Sequence, residues 1–376
     1  MDWKEINPVC VNSQVLNNDQ IKTLTVIYVT MLSISLIGSC STIVVPLARR
    51  RCFSKEFRPL ILLLLSDFLA TLTLFSMAVI QLLPNEEFES AFIICYPGVT
   101  LAVVFYGISF LMVMIYAYEA KQSVHGWRET LIRGHQETQC IHQEFMYLIY
   151  ILAWSIPLIL YMVYITYTSV IPMRTDFANY THQRDQDNRQ HYSESSNASN
   201  TSYIYYCSSC IMLIHRNQDC CYGFEGTYTA GLVEKIMFFI YTLIVLNCCM
   251  FLYYRVTHWC NKRTEESALL LNTERDSFAS KNIRSVCKTI CFIYVAFIIC
   301  WSPAFVLSII SFTSVNPRDI YGLYIIQALT MSLQGFLDSL VYGWLRRNFR
   351  EVATGERIRL LDNLTQRAFY DESVNQ

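Results

Sequence analysis

Charged residues are scarce in this chain, and their scarcity argues against an ordinary soluble domain. Asp, Glu, Lys and Arg make up 16% of the 376 residues, whereas soluble domains carry about 25%. Apolar residues make up 53% and collect in continuous runs of about 20 residues. An ordinary soluble core cannot cover several runs of that length, so the composition predicts a helical membrane protein.

Several other patterns are missing, and each absence removes a class of protein. There is no succession of ten-residue segments with alternating polarity, which excludes a membrane β-barrel. No apolar run carries a His-x-x-x-His or Glu-x-x-His pattern, and no histidine lies in the middle of a run. We therefore expect no enzymatic activity, no catalytic residues, no metal and no cofactor, and we expect no nucleic-acid partner. The two halves show no internal repeat, which counts against inverted-repeat transporters.

Seven apolar runs are long enough to cross a membrane as helices. At 1.5 Å per residue, about 20 residues span a hydrocarbon core of roughly 30 Å. The fifth run is the least regular, because Glu234 and Lys235 lie near its start. The predicted fold is an all-α bundle of seven transmembrane helices over residues 21–47, 59–83, 94–120, 145–169, 232–255, 286–311 and 319–345.

The distribution of Lys and Arg predicts the orientation. Arg49, Arg50 and Arg51 follow the first run and Arg346 and Arg347 follow the seventh, whereas cations are thinly spread on the other side. Positively charged loops stay in the cytoplasm. We expect a multi-pass plasma-membrane protein with three parts: an extracellular N-terminus (1–20), a seven-helix domain (21–350) with a long outer loop (172–227), and a cytoplasmic tail (351–376).

Smaller features agree with this orientation. The first twenty residues have no apolar stretch, so we expect no cleavable signal peptide. Three glycosylation sequons, at Asn179, Asn197 and Asn200, lie in the long outer loop, whereas a fourth, at Asn363, lies in the tail. The basic stretch from Trp344 to Arg350 predicts a short amphipathic eighth helix along the inner membrane surface.

The fifteen cysteines divide by compartment. Six lie on the outer side, where oxidising conditions permit disulfides: Cys10, Cys95, Cys207, Cys210, Cys220 and Cys221. We expect Cys95 to attach the long loop, with Cys220 or Cys221 as its partner because these two lie nearest to the fifth run. The nine inner cysteines are expected to pack as small apolar side chains.

Four polar side chains lie at similar depth inside the runs, roughly 10–15 Å from the inner face. They are Asp67, Ser109, Gln334 and Asp338. Intramembrane carboxyls are costly and indicate function. Two interpretations remain open: a site for a small cation or a shared proton, and a hydrogen-bonded polar core with one Asp protonated.

In the sixth run, Cys300-Trp301-Ser302-Pro303 predicts a hinge, because proline interrupts helical hydrogen bonding.

Taken together, these residues resemble the G-protein-coupled receptor clan. Leu63-x-x-x-Asp67 is similar to its second-helix motif, and Ser109 to the serine of its sodium pocket. Cys95 and Glu119 are 24 residues apart, which matches the spacing in these receptors between the disulfide cysteine and the acidic residue of the third-helix Asp-Arg-Tyr motif. The remaining similarities are Trp154 in the fourth helix, Cys300-Trp301-x-Pro303 in the sixth, and Asp338-Ser339-Leu340-Val341-Tyr342 in the seventh.

The departures from that pattern are equally specific. Ala120 replaces the third-helix arginine that contacts G proteins, and Ser339 replaces the seventh-helix proline. Gly38-Ser39 and Gln334-Gly335-Phe336 are more similar to the cAMP-receptor-like group, and within it to orphans of the transmembrane protein 116 type. The resemblance implies a switch formed by Trp301, Pro303 and Tyr342, and a G-protein-facing surface formed by Glu119, Lys121, Lys281, Arg284 and Lys288.

Three functions follow as hypotheses. The leading one is a receptor that transmits an extracellular signal, from an unknown ligand, to a heterotrimeric G protein. The missing arginine keeps open a second, a receptor-fold scaffold or trafficking protein without coupling. A third, a proton- or cation-coupled carrier using Asp67 and Asp338, is disfavoured by the absence of repeats. All three require the lipid membrane as a partner.

Overall fold

The computed structural model describes residues 16–48, 58–83, 94–133, 137–170, 209–212, 228–269, 274–313 and 315–341. All regular secondary structure in these ranges is helical. The eight helices are α1 (Asn18–Ala48), α2 (Arg58–Gln81), α3 (Cys95–Arg133), α4 (Glu137–Val170), α5 (Tyr228–Leu269), α6 (Glu274–Ile310), α7 (Tyr321–Ser332) and α8 (Gln334–Leu340).

Six of the described helices are long and apolar enough to cross a membrane. The spanning segments are Asn18–Val45, Arg58–Gln81, Pro97–Glu119, Glu144–Thr166, Lys235–Lys262 and Cys287–Ile310. They coincide with the first six predicted runs, and they make the chain a multi-pass helical membrane protein. Helix α6 continues without interruption through Pro303.

The seventh predicted run is not one long helix. Leu333 separates α7, of 12 residues, from α8, of 7 residues. The reason lies at the start of α8, where the backbone N–H of Phe336 donates to the Ser35 hydroxyl of α1 at 3.1 Å. The first N–H groups of a helix need such an outside partner. Gly335 permits the approach, since a Cβ there would be 2.7 Å from the Ser35 Oγ.

The outside of the bundle is apolar, unlike that of a soluble domain, and the mainly apolar interior contains a set of buried polar side chains. Several large apolar residues on α4 are 50% to 63% exposed, including Ile151, Ile159 and Leu160. Helix α4 packs mainly against α3. Several buried hydroxyls donate to a carbonyl of their own helix; the Thr25 hydroxyl, for example, donates to the Ile21 carbonyl at 2.8 Å. Hydrocarbon cannot hydrogen-bond, so this arrangement suits a bilayer.

Aromatic side chains dominate the core. The largest fully buried residues are Trp301, Tyr28, Tyr106, Tyr294, Tyr324 and Phe297. Helix α2 packs closely with α1 and α3, α5 packs with α6, and α8 fits between α1, α2 and α6. The core therefore brings α2, α3, α6 and α8 together around one set of polar residues.

Candidate functional site

Asp67 is the centre of a buried hydrogen-bonded network. Ser109 of α3 donates to its Oδ1 at 2.5 Å, and the Gln334 side-chain amide donates to the same oxygen at 3.3 Å. Gln334 in turn accepts a hydrogen bond from the Trp301 indole at 2.9 Å. All four residues have no exposed surface. The network joins α2, α3, α6 and α8.

The break between α7 and α8 places Gln334 in this network. Gln334 is the first residue of α8, directly after Leu333. The close contact of Gly335 with Ser35 and Ser39 presses this turn against α1, which holds the amide within reach of both Asp67 and Trp301. The break therefore has a structural consequence, because it links the sixth helix to the second.

Asp338 lies one turn along α8 from Gln334, fully buried, and its carboxyl interacts with that of Asp67. Both Asp338 oxygens and Oδ2 of Asp67 lack a hydrogen-bond partner within the described ranges. A proton shared between the two carboxyls would satisfy them. So would a small hard cation, since such ions prefer oxygen ligands. The structure thus brings together the four predicted polar residues in an arrangement that fits either occupant.

The Trp301 indole is held between two tyrosines from neighbouring helices. Its ring centroid is 5.5 Å from that of Tyr106 on α3 and 5.7 Å from that of Tyr241 on α5, both edge-on. One turn further along α3 from Tyr106, Phe110 pairs with Phe297 of α6, with ring centroids 6.1 Å apart. Movement of Trp301 must therefore be accompanied by repacking of α3 and α5. Sequence reasoning did not single out Tyr106 or Tyr241, and no pattern in the sequence places either beside Trp301.

A short piece of the long loop, residues 209–212, is buried against α2 and α7. Residues 209–212 are all buried. The Cys210 backbone N–H donates to the Gln81 side chain, and the Met212 carbonyl accepts from the Gln327 amide at 3.2 Å. We call residues 209–212 the plug. It is held by side chains from α2 and α7.

The plug corrects the predicted disulfide. Cys95 does form a disulfide, but its partner is Cys210, with Cα atoms 4.8 Å apart. The prediction of Cys220 or Cys221 was wrong as a partner for Cys95, because it assumed that nearness to the fifth run decides the pairing. Residues 209–212, which precede α5 in the chain, are instead buried against the bundle. Cys220 and Cys221 lie outside the described residues.

At the opposite end of the bundle, Glu119 is tied to α4. The Tyr150 hydroxyl donates to its carboxylate at 2.7 Å, and the Arg58 guanidinium lies 4.4 Å from the Tyr147 ring centroid. Lys288 on α6 is exposed. The backbones of α3 and α6 pass through positions 121, 281 and 284, but the side chains of Lys121, Lys281 and Arg284 lie outside the described part of the structure.

A second disulfide, between Cys260 and Cys287, joins α5 to α6. Cys260 and Cys287 are therefore exceptions to the expectation that the nine inner cysteines more often pack as small apolar side chains. It holds for the free thiols Cys249 and Cys300, which are buried. Sequence reasoning missed the bond because it considered disulfides only among the cysteines assigned to the outer side. A usable signal was present, since Cys260 and Cys287 lie at the facing ends of two consecutive spans.

Other predicted residues lie beyond the described ranges. They are the switch residue Tyr342, the glycosylation candidates Asn179, Asn197 and Asn200, and the amphipathic stretch from Trp344 to Arg350. Within the described residues, no three His, Cys, Asp or Glu side chains converge as a metal-binding group.

Comparison with known families identifies one that covers nearly the whole chain. The family model described as transmembrane protein 116 matches residues 21–369. The match begins within α1 and continues past α8, so it includes every residue of the Asp67 network and both disulfides. The resemblance to this group is confirmed at the level of the family.

Proposed function

The chain belongs to the transmembrane protein 116 family, and from this premise we propose that it is a cell-surface receptor of the G-protein-coupled type. In this proposal α7 and α8 together form the seventh span. The N-terminus is outside, the C-terminus is in the cytoplasm, and the membrane is the plasma membrane. An extracellular signal would reach a cytoplasmic heterotrimeric G protein through the bundle.

One observation carries the proposal, the continuous hydrogen-bonded path from Trp301 through Gln334 to Asp67 and Ser109. Each member belongs to a different helix, so none of these helices can shift alone without breaking a buried bond. Buried polar groups without partners are costly, which favours two alternative complete networks over a continuum of positions. A two-state bundle is what a receptor requires.

The plug supplies the outer input of this mechanism. Cys210 is bonded to α3, and the plug backbone is hydrogen-bonded to Gln81 and Gln327. Because Gln327 lies on α7, two turns before Gln334, a displacement of the plug would be transmitted along α7 towards Trp301. The unknown extracellular ligand, or the rest of the long loop itself, would act through this contact.

The residues at the inner end of the bundle are relevant to the alternative function, a scaffold without G-protein coupling. Glu119 bonds to Tyr150, and Ala120 offers no arginine for a partner. The coupling surface would then rely on Lys121, Lys281, Arg284 and Lys288. Several cations that face a partner give orientation and association rate even where each contributes little.

The experiment is a ligand-free activation assay with each Gα subtype, in cells matched for surface level and compared with vector alone. Gln334→Ala should lower basal activation several-fold, because it disconnects Trp301 from Asp67. Thr242→Val is the matched control, since Thr242 is also fully buried but donates only within α5. The triple change Lys281/Arg284/Lys288→Ala should also lower activation, and Ala120→Arg should raise it.

Other outcomes select the alternatives. If neither wild type nor Ala120→Arg activates any Gα subtype, the protein is a receptor-fold scaffold. If purified chain in liposomes moves protons or Na⁺, and Asp67→Asn abolishes this flux, it is a carrier.

A further inference from the structure

Helices α5 and α6 are fastened together near one end of the bundle. Cys260 and Cys287 are bonded, with Cα atoms 6.2 Å apart, and only 9% and 5% of their surfaces are exposed. One turn closer to the middle of the helices, the Thr257 hydroxyl lies 3.5 Å from the Cys291 sulfur. The two helices are thus held at two successive levels.

The disulfide lies at the edge of the apolar region. Cys260 is two residues before the end of the spanning segment Lys235–Lys262, and Cys287 is the first residue of Cys287–Ile310. The exposed Lys262 and Lys288 flank the pair. Cations concentrate on the cytoplasmic side of membrane proteins, and this assignment rests on the orientation given in the proposed function.

A disulfide at that place is unusual. The cytoplasm keeps thiols reduced, and cytosolic disulfides in most organisms are transient and serve catalysis or redox sensing. A bond meant only to stabilise the fold would be expected on the outer face, as with Cys95 and Cys210.

We propose that Cys260 and Cys287 form a reversible redox-modification site, a disulfide when oxidised and two thiols when reduced, which determines whether the inner ends of α5 and α6 can separate. In the oxidised state the bond joins a single turn of α5 to a single turn of α6, and it prevents the inner ends of these two helices from separating. In the reduced state this covalent link between the helices is absent, while the weak Thr257–Cys291 contact remains.

The chemistry balances with common cellular reagents. A peroxide accepts two electrons and two protons from the two thiols; the S–S bond forms, and the peroxide leaves as water or, for an organic peroxide, water and an alcohol. In the reverse direction, two glutathione thiols attack in turn. Glutathione disulfide forms, and one proton is returned to each cysteine sulfur.

The site can be read directly on a gel. Residues 270–273, between α5 and α6, are replaced in the full-length chain by a protease recognition sequence, and isolated membranes are cleaved. Cys95 and Cys210 both precede the cut, so their bond cannot link the halves. With hydrogen peroxide, the halves should stay joined on a non-reducing gel. With reduced glutathione, the joined band should disappear.

Two variants separate this site from the other thiols. Cys287→Ser should give separate halves under every condition, whereas Cys248→Ser, which removes a free thiol of α5, should behave like wild type. Mass spectrometry of uncut wild-type chain after thiol trapping should find a peptide containing Cys260 bonded to one containing Cys287 in the peroxide sample only.

The conformational part has its own readout. Amide hydrogen exchange near the inner end of α6 should accelerate when wild type is reduced, and exchange in α2 should not. Halves that separate after peroxide, or that stay joined after glutathione in intact membranes, would overturn the proposal, as would unchanged exchange in α6. None of these measurements uses signalling, so they stand apart from the test of receptor function.

Discussion

At Asp67 the two carboxyl oxygens have different surroundings. Oδ1 accepts hydrogen bonds from Ser109 and Gln334, whereas Oδ2 has no hydrogen-bond partner within the described ranges. The buried Asp338 carboxyl interacts with that of Asp67. Two charged carboxylates cannot be adjacent in so low a dielectric without a proton or cation between them. The two residues must therefore behave as one unit.

This coupling predicts a non-additive double variant. Asp67→Asn and Asp338→Asn should each lower the melting temperature in detergent, because each change leaves the remaining buried carboxyl without its carboxyl neighbour. The double variant should lose less than the sum of the single losses, by ~0.5–3 kcal/mol, as neighbours in one network do. Additive losses would show that the two carboxyls act independently.

The same variants distinguish a cation from a proton. If a cation bridges the carboxyls, adding Na⁺ in place of a large organic cation should raise the melting temperature of wild type, because ligand binding stabilises the folded state. The double variant is the control and should not respond. Equal melting temperatures of wild type in the two salts would favour the shared proton.

At the scale of elements, the break between α7 and α8 depends on a glycine. A Cβ on Gly335 would lie 2.7 Å from Ser35 Oγ and 2.8 Å from Ser39 Oγ, both closer than real Cβ contacts. The contact places Gln334 against Asp67, so the fit of one helix turn determines the geometry of the network. Gly322, on α7, has nothing within 4 Å of the same position.

These two glycines form a matched pair of variants. Gly335→Ala should cost about 1–3 kcal/mol, the usual penalty for overfilling a packed site. Gly322→Ala should be neutral or add up to about 1 kcal/mol, because alanine favours a helix more than glycine does. Thermal unfolding in detergent measures both. A neutral Gly335→Ala would mean that α1 and α8 do not meet as closely as described.

The plug is a second element whose position depends on one bond. Cys210→Ser should reduce surface expression strongly, because the loss of a structural disulfide in an outer domain costs about 2–5 kcal/mol. Cys249→Ser is the control, since Cys249 is equally buried but free. Flow cytometry of an N-terminal epitope gives the comparison. Equal surface levels for the two variants would argue that Cys210 is dispensable.

At the scale of the whole molecule, the orientation determines which end receives a signal. Replacing Asn179, Asn197 and Asn200 by Gln together should abolish the glycosidase-sensitive gel shift, because only the lumenal side during synthesis is glycosylated. Asn363→Gln should leave the shift intact. A shift that depends on Asn363 would place the tail outside and reverse the proposed direction of signalling.

The sequence by itself determined the class of protein and the first six spans. Hydrophobicity accumulates locally along the chain, so a run of about 20 apolar residues predicts a membrane helix wherever it packs. The residues at the centre of the bundle were also predictable. Asp67 and Asp338 stand out because ionisable groups are rare in such runs, and their similar depth to Ser109 and Gln334 along separate helices already suggested that these four residues meet.

Only the tertiary structure decided how the parts pair. The partner of Cys95, the division at Leu333 and the bond from Cys260 to Cys287 each depend on a contact between segments far apart in the chain. Local composition does not determine which part of a loop lies against the bundle. It also does not determine which side chain accepts a hydrogen bond from a backbone N–H at a helix break. Such contacts are settled by the packing of the whole bundle, where the neighbouring helices determine which side chains lie within bonding distance.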